Sequence, residues 1–178
     1  MSPARLLDRA RATLVVVDVQ EAFRKAVLDF ERTARAAGTL VAGARVLAVP
    51  IVVTEQYPQG LGTTVPEIGL EGERPLAKTV FAASRADSFA LEGRDQVLLC
   101  GIESHVCVSQ TAHDLLDRGL EVHVAADAVS SRTERNRELG LHKMERSGAI
   151  LTSVETALLE LCGEAGTPEF KAIQELIR

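Results

Sequence analysis

Apolar residues are laid out in two alternating patterns along this chain. Unbroken runs such as Thr13-Leu14-Val15-Val16-Val17 and Val97-Leu98-Leu99-Cys100 give way to segments where they recur at three- and four-residue steps. The runs have strand length, and continuous apolar character marks strands covered on both faces, as in parallel sheets. The periodic segments read as amphipathic helices. Strands are predicted over 13–18, 49–54 and 77–81, from Val97 onward, and over 120–125 and 149–152. Pro50 is tolerable at the first residues of the second strand. Helices are predicted over 30–47, from Ser84 to near Gly93, from Val106 to Gly119, from Thr133 to about Arg146, from Ser153 onward, and from Pro168 to Ile177. Ser84 and Thr133 are capping residue types, and Pro168 suits a first helical position. Residues 55–75 carry Gly and Pro without a period and read as a loop long enough to be functional.

Strands alternating with helices predict an α/β fold of three layers, α/β/α, around a six-stranded, mainly parallel sheet. The common strand order for such a sheet is 3-2-1-4-5-6, and ligands bind beyond the carboxyl ends of the strands where that order reverses. At 178 residues the chain reads as one domain over 1–178, long enough to bury a sizeable core.

Two unlike groups fall at the reversal point. Asp18 ends the first strand, and Cys107 follows the fourth. The helical period from Val106 predicts Cys107 in the first turn of a helix, where unpaired N–H groups and the dipole favour an anion. A thiol there is expected to lose its proton readily and to act as a nucleophile. Cys100, inside an apolar strand, and Cys162, near a helix end, read as structural.

Composition narrows the classes. A net charge of −5 argues against nucleic acid or an anionic membrane as partner, and no apolar run approaches the ~20 residues of a membrane span. Three cysteines without a C-x-x-C pair fit reduced thiols in a cytoplasmic protein, and no signal peptide is read at the amino end. His105, His113, His123 and His142 have no metal-ligand spacing, so no metal and no cofactor are expected. Ser104 stands outside any G-x-S-x-G pattern.

Val17-Asp18-Val19-Gln20, Lys78 on the third strand, and Gly101-Ile102-Glu103-Ser104-His105-Val106-Cys107-Val108 together resemble the isochorismatase-like cysteine hydrolases. Thr54-Glu55-Gln56-Tyr57-Pro58 and Leu115–His123 resemble the isochorismatase domain-containing subgroup, and the likeness spans nearly the whole chain. The resemblance implies a Cys107–Asp18–Lys78 triad that hydrolyses a small amide, carbamoyl or related acyl substrate through a thioester. It implies a cis peptide at Ile102–Glu103, an oxyanion hole from the Glu103 and Cys107 backbone N–H groups, and a homodimer or homotetramer. By family position Gln20, Phe23, Tyr57 and Phe81 would line the substrate pocket, and His105, two residues before the cysteine, is expected with them as a pocket residue. The Asp-x-His metal motif of the family's nicotinamidases is missing after the second strand, which speaks against that activity. Two rivals stand beside this reading: a binding or scaffold protein that keeps the fold without turnover, and a thiol-redox protein pairing Cys107 with Cys100.

Overall fold

A computed structural model describes residues 5–178. Six strands, β1 (Ala12–Val17), β2 (Ile51–Gln56), β3 (Leu76–Lys78), β4 (Gln96–Ile102), β5 (Glu121–Ser130) and β6 (Ile150–Thr152), form one sheet in the order β3-β2-β1-β4-β5-β6. Every pairing is parallel. β1 and β4 are buried along their whole lengths, which is why their sequences lack polar alternation. Each fully buried Val or Leu contributes on the order of 1.5–3 kcal/mol, so this central pair anchors the fold.

Five helices follow the period seen in the sequence, α1 (Phe30–Val46), α3 (Ser109–Asp117), α4 (Glu134–Arg146), α5 (Val154–Cys162) and α6 (Pro168–Leu176), and a single turn, α2 (Pro58–Leu61), does not. One face of the sheet, through Leu14, Val16 and Leu98, packs with Leu40 and Val41 of α1, Leu158 of α5 and Ile173 of α6. The other face, through Val15, Val97 and Leu99, packs with Leu115 of α3 and Met144 of α4. Thr133, Ser153 and Thr167 cap α4, α5 and α6 by accepting the N–H of the residue three positions on.

Three expectations fail locally. The helix predicted from Ser84 to Gly93 is only a 3-10 turn at Ala83–Arg85, because Ser88, Glu92 and Gly93 take left-handed backbone angles. The strand expected over 120–125 is longer: β5 shifts register opposite Cys100 and runs on to Ser130, burying Ala128 and Val129. Residues 55–75 contain α2 and a 3-10 turn at Pro66–Ile68, and their backbone is tied down by Val65 N–H to Val19 O and Glu21 N–H to Thr63 O.

Gly101 sets the spacing of the two central strands. It has φ of +119°, and a Cβ there would lie 2.1 Å from the Val17 carbonyl oxygen. Any side chain would push the end of β4 away from the end of β1, where the polar groups gather.

Candidate active site

The carboxyl edge of the sheet brings Asp18, Lys78 and Cys107 together. Val17 is in register with Thr54 and Gly101, so the residues just past the ends of β1, β2 and β4 meet on one side. Asp18 turns out of β1 with φ of +51°, a conformation a non-glycine residue adopts at a cost of about 1–3 kcal/mol when its surroundings hold it. Those surroundings are explicit. Thr54 Oγ1 donates to Asp18 Oδ1 at 2.7 Å, Lys78 Nζ donates to Oδ2 at 2.7 Å, and the Asp18 N–H donates to Thr54 O.

Lys78 is equally confined, with no side-chain exposure. Its ammonium also donates to Gln56 Oε1 at 2.6 Å and reaches the carbonyls of Val80 and Phe81. A buried charge is tolerable only with such compensation, so the pair behaves as one unit. Thr54 and Gln56 are the members that sequence reasoning missed. Thr54 ended the expected strand and Gln56 fell in the expected loop, and only the parallel register of β2, which runs on to Gln56, reveals that they face the carboxylate and the ammonium.

Cys107 is buried at 7% exposure, and its placement differs from expectation. It sits in a π-helical turn, Ser104–Val108, and α3 begins only at Ser109. Glu103 O accepts from both Val106 N–H and Val108 N–H, which winds the turn tightly. Gly140 of α4 lets this turn pack closely, since a Cβ there would meet Ser104 Oγ at 2.5 Å. The expected acidification is overturned as well. Burial and the Asp18 carboxylate push the Cys107 thiol up to about 12, outweighing the opposite pull of Lys78. At neutral pH the group is a thiol beside a carboxylate that can take its proton.

The peptide between Ile102 and Glu103 is cis, and the Glu103 N–H has no acceptor among the described residues. The Glu103 carboxylate is buried and accepts from Arg132 N–H at 2.9 Å and Arg132 Nε at 3.1 Å. His105 is half-buried, with Nδ1 3.0 Å from Ser131 Oγ.

The proposed pocket walls scatter. Gln20 is fully buried, with its amide spent on the backbone of Gln56 and on Gly62 O, so it ties the long loop to β2 instead of facing a ligand. Phe23 is half-buried and packs against the core on the α1 face. Tyr57 and Phe81 are about half exposed and line two neighbouring grooves that share Thr79, Val80 and Arg85. Cys100 is buried within β4, its thiol pushed up by desolvation, and Cys162 is buried near the end of α5. Among the described residues no group of three or more His, Cys, Asp or Glu side chains is placed to hold a metal ion, and no helix is long and apolar enough to cross a membrane.

A parallel α/β sheet with a thiol, a carboxylate and an ammonium at its carboxyl edge defines the class of protein. The chain belongs to the isochorismatase domain family, whose model matches residues 12–156. Human isochorismatase domain-containing protein 2 is 49% identical over 170 residues, covering 94% of this chain and 83% of its own. The structure of MAR1 ribonuclease from Caenorhabditis elegans superposes with a TM-score of 0.91 at 40% identity, covering 97% of this chain and 92% of that one. The YCAC gene product of Escherichia coli, described as an octameric hydrolase of unknown specificity, shares the fold with a TM-score of 0.86 at 23% identity, over 92% of this chain and 85% of that one.

Proposed function

We propose that this chain is a cysteine-dependent hydrolase of a small amide, carbamoyl or related acyl compound. The observation that carries the reading is a buried thiol near enough to feel the charge of a buried carboxylate whose two oxygens are fixed by Thr54 and Lys78. A nucleophile needs a base in reach and a third group that orients the base. Asp18 accepts the Cys107 proton as Sγ bonds to the carbonyl carbon. The oxygen that becomes negative is received by the backbone N–H groups of Glu103 and Cys107. Collapse breaks the C–N bond, and Asp18 returns the proton to the leaving amine, which leaves a thioester on Cys107. Asp18 then takes a proton from water as the water attacks the thioester, and the thiolate recovers it when the acid leaves. Lys78 stays protonated throughout and holds Asp18 in its unusual backbone turn.

The name of the Caenorhabditis elegans relative raises RNA as an alternative substrate. The charge of −5 and the pairing of Lys78 with Asp18 and of Arg24 with Glu21, Glu31 and Glu67 favour the small-molecule reading. We also propose a homo-oligomer, to be read by light scattering.

The test separates proton transfer from thiol acidity. Asp18→Asn removes the negative charge that helps keep the thiol protonated, so alkylation of Cys107 by iodoacetamide should speed up at a given pH. Release of ammonia from a panel of small amides should fall by about a thousandfold in the same variant, as it should in Cys107→Ala. In the wild type, alkylation should climb steadily above pH 8, with no plateau near neutrality. Equal hydrolysis by wild type and Cys107→Ala would refute the reading, and RNA cleavage that survives both variants would place that activity elsewhere.

A further inference from the structure

We propose that Thr111 is a positioning residue, whose hydroxyl pins the segment Thr79–Ala82 as a strap between the Lys78 and Cys107 sides of the site; the inference rests on the reading of Cys107 as nucleophile. Thr111 lies on α3, four residues past Cys107, and is fully buried. Its Oγ1 donates to Cys107 O at 2.6 Å and accepts from Ala83 N–H at 2.8 Å. A threonine hydroxyl bonded to the carbonyl four residues back is a common helix detail. The second bond is not, because it leaves the helix for the residue just past the strap.

Polar contacts anchor the other end. Lys78 Nζ, while holding Asp18, donates to Val80 O at 3.2 Å and to Phe81 O at 3.0 Å, and Gln56 Nε2 donates to Thr79 O at 2.8 Å. Thr79, Val80 and Phe81 are exposed, so hydrogen bonds hold this backbone in place and packing contributes little. A link independent of the sheet therefore runs from Asp18 through Lys78, the strap and Thr111 to the Cys107 carbonyl.

The place of the strap decides what that link controls. Thr79 and Val80 border both of the neighbouring grooves, one of which reaches Lys78, and neither groove is lined by Asp18 or Cys107. Ala83 packs in the same apolar cluster as Cys107. A loosened strap takes two acceptors from the buried ammonium and thins the cover over the thiol. Ser84 Oγ and Arg85 Nε both donate to Asp114, so the turn Ala83–Arg85 stays docked on α3 without the Thr111 hydroxyl, and the change is confined to the strap.

Thr111→Val keeps the side-chain shape, removes the donor to Cys107 O and leaves the buried Ala83 N–H without its acceptor. Hydrolysis of the amide panel should lose about tenfold in kcat with little change in KM. N-ethylmaleimide and N-phenylmaleimide share one chemistry and differ in size, so the ratio of their rate constants at Cys107 cancels the thiolate fraction and reads access. The phenyl-to-ethyl ratio, measured by peptide mass spectrometry, should rise severalfold in Thr111→Val, and hydrogen exchange at the Ala83 amide should speed up. Thr111→Ser should bring kcat, ratio and exchange back near wild type. Glu121→Ala, at the far edge of the sheet, should change none of the three. An unaltered kcat in Thr111→Val would overturn the proposal, as would a loss of kcat with ratio and exchange unaltered, or a loss that Thr111→Ser does not rescue. If Cys107→Ala hydrolyses the panel as well as wild type, the nucleophile reading fails. The strap is then judged by exchange at Ala83, and no increase in Thr111→Val overturns it.

Discussion

Two buried polar clusters sit at opposite ends of the same strands, and only one has the makings of a reactive site. At the amino edge, Gln96 accepts from Asp8 N–H at 2.8 Å and donates to Leu6 O and to Glu121 Oε1, which also lies 3.1 Å from His123 Nε2. At the carboxyl edge, Asp18, Thr54, Gln56 and Lys78 form a network as dense and as deeply buried. Burial and hydrogen bonding therefore do not separate the two. The amino-edge groups are consumed in fastening the entering chain to the sheet. The carboxyl-edge groups hold a carboxylate in a left-handed turn against a thiol that none of them needs for folding. Backbone cost beside an unlike, proton-bearing nucleophile is the mark of the reactive end.

The sharpest way to break the comparison is to remove the acid at each end. Asp18→Ala leaves the Lys78 ammonium buried without its counter-charge, which should cost about 3–5 kcal/mol in urea denaturation. Glu121→Ala deletes hydrogen bonds at a position that is partly open to water, and should cost about 1–2 kcal/mol. Amide hydrolysis should vanish in the first and survive in the second. Similar losses of stability from both changes would mean that the Asp18–Lys78 pair is no more than another structural lock.

The difference between the two ends was only partly legible in the chain. Strand type, strand order and the meeting of Asp18 with Cys107 follow from unbroken apolar runs and from where the polar residues interrupt them. Lys78 came from the family resemblance, since a lysine on a short edge strand reads equally well as a solvated residue. What escaped was set by tertiary contact. Acidity at Cys107 depends on burial and on Asp18 from a distant strand, and the local helix signal alone pointed the other way. The π-turn moved the start of α3 past the cysteine. Gln20 was expected in the pocket by family position, yet its amide faces inward to the backbone of β2.

A smaller effect sharpens the role of the groups around the carboxylate. Thr54→Val keeps the shape of the side chain and deletes the hydrogen bond to Asp18 Oδ1, leaving that oxygen buried with one fewer donor. The stability cost should be about 1–3 kcal/mol. Hydrolysis should fall about tenfold with little change in KM, because the base is less well held and no contact of the pocket has been altered. Thr54→Ser, which restores the hydroxyl, should recover most of the rate. A fall in Thr54→Val that the serine does not rescue would assign the loss to packing.

The smallest effect belongs to the amino edge and is read in acid. Burial by itself would raise the Glu121 carboxyl, but hydrogen bonds from His123 and Gln96 reverse that and hold it below its usual range. A carboxyl lowered on folding adds stability above its unfolded pKa of about 4.3, and that contribution is lost as pH falls through the folded value. Glu121→Gln should therefore flatten the loss of stability below about pH 4.3 by a few tenths of a kcal/mol up to ~1 kcal/mol, followed by urea denaturation at successive pH values. Alkylation of Cys107 should be identical in this variant and in wild type at every pH, since the sheet separates the two ends. A changed alkylation profile would show that the amino-edge network reaches the thiol, and the contrast between a fastening end and a reactive end would no longer hold.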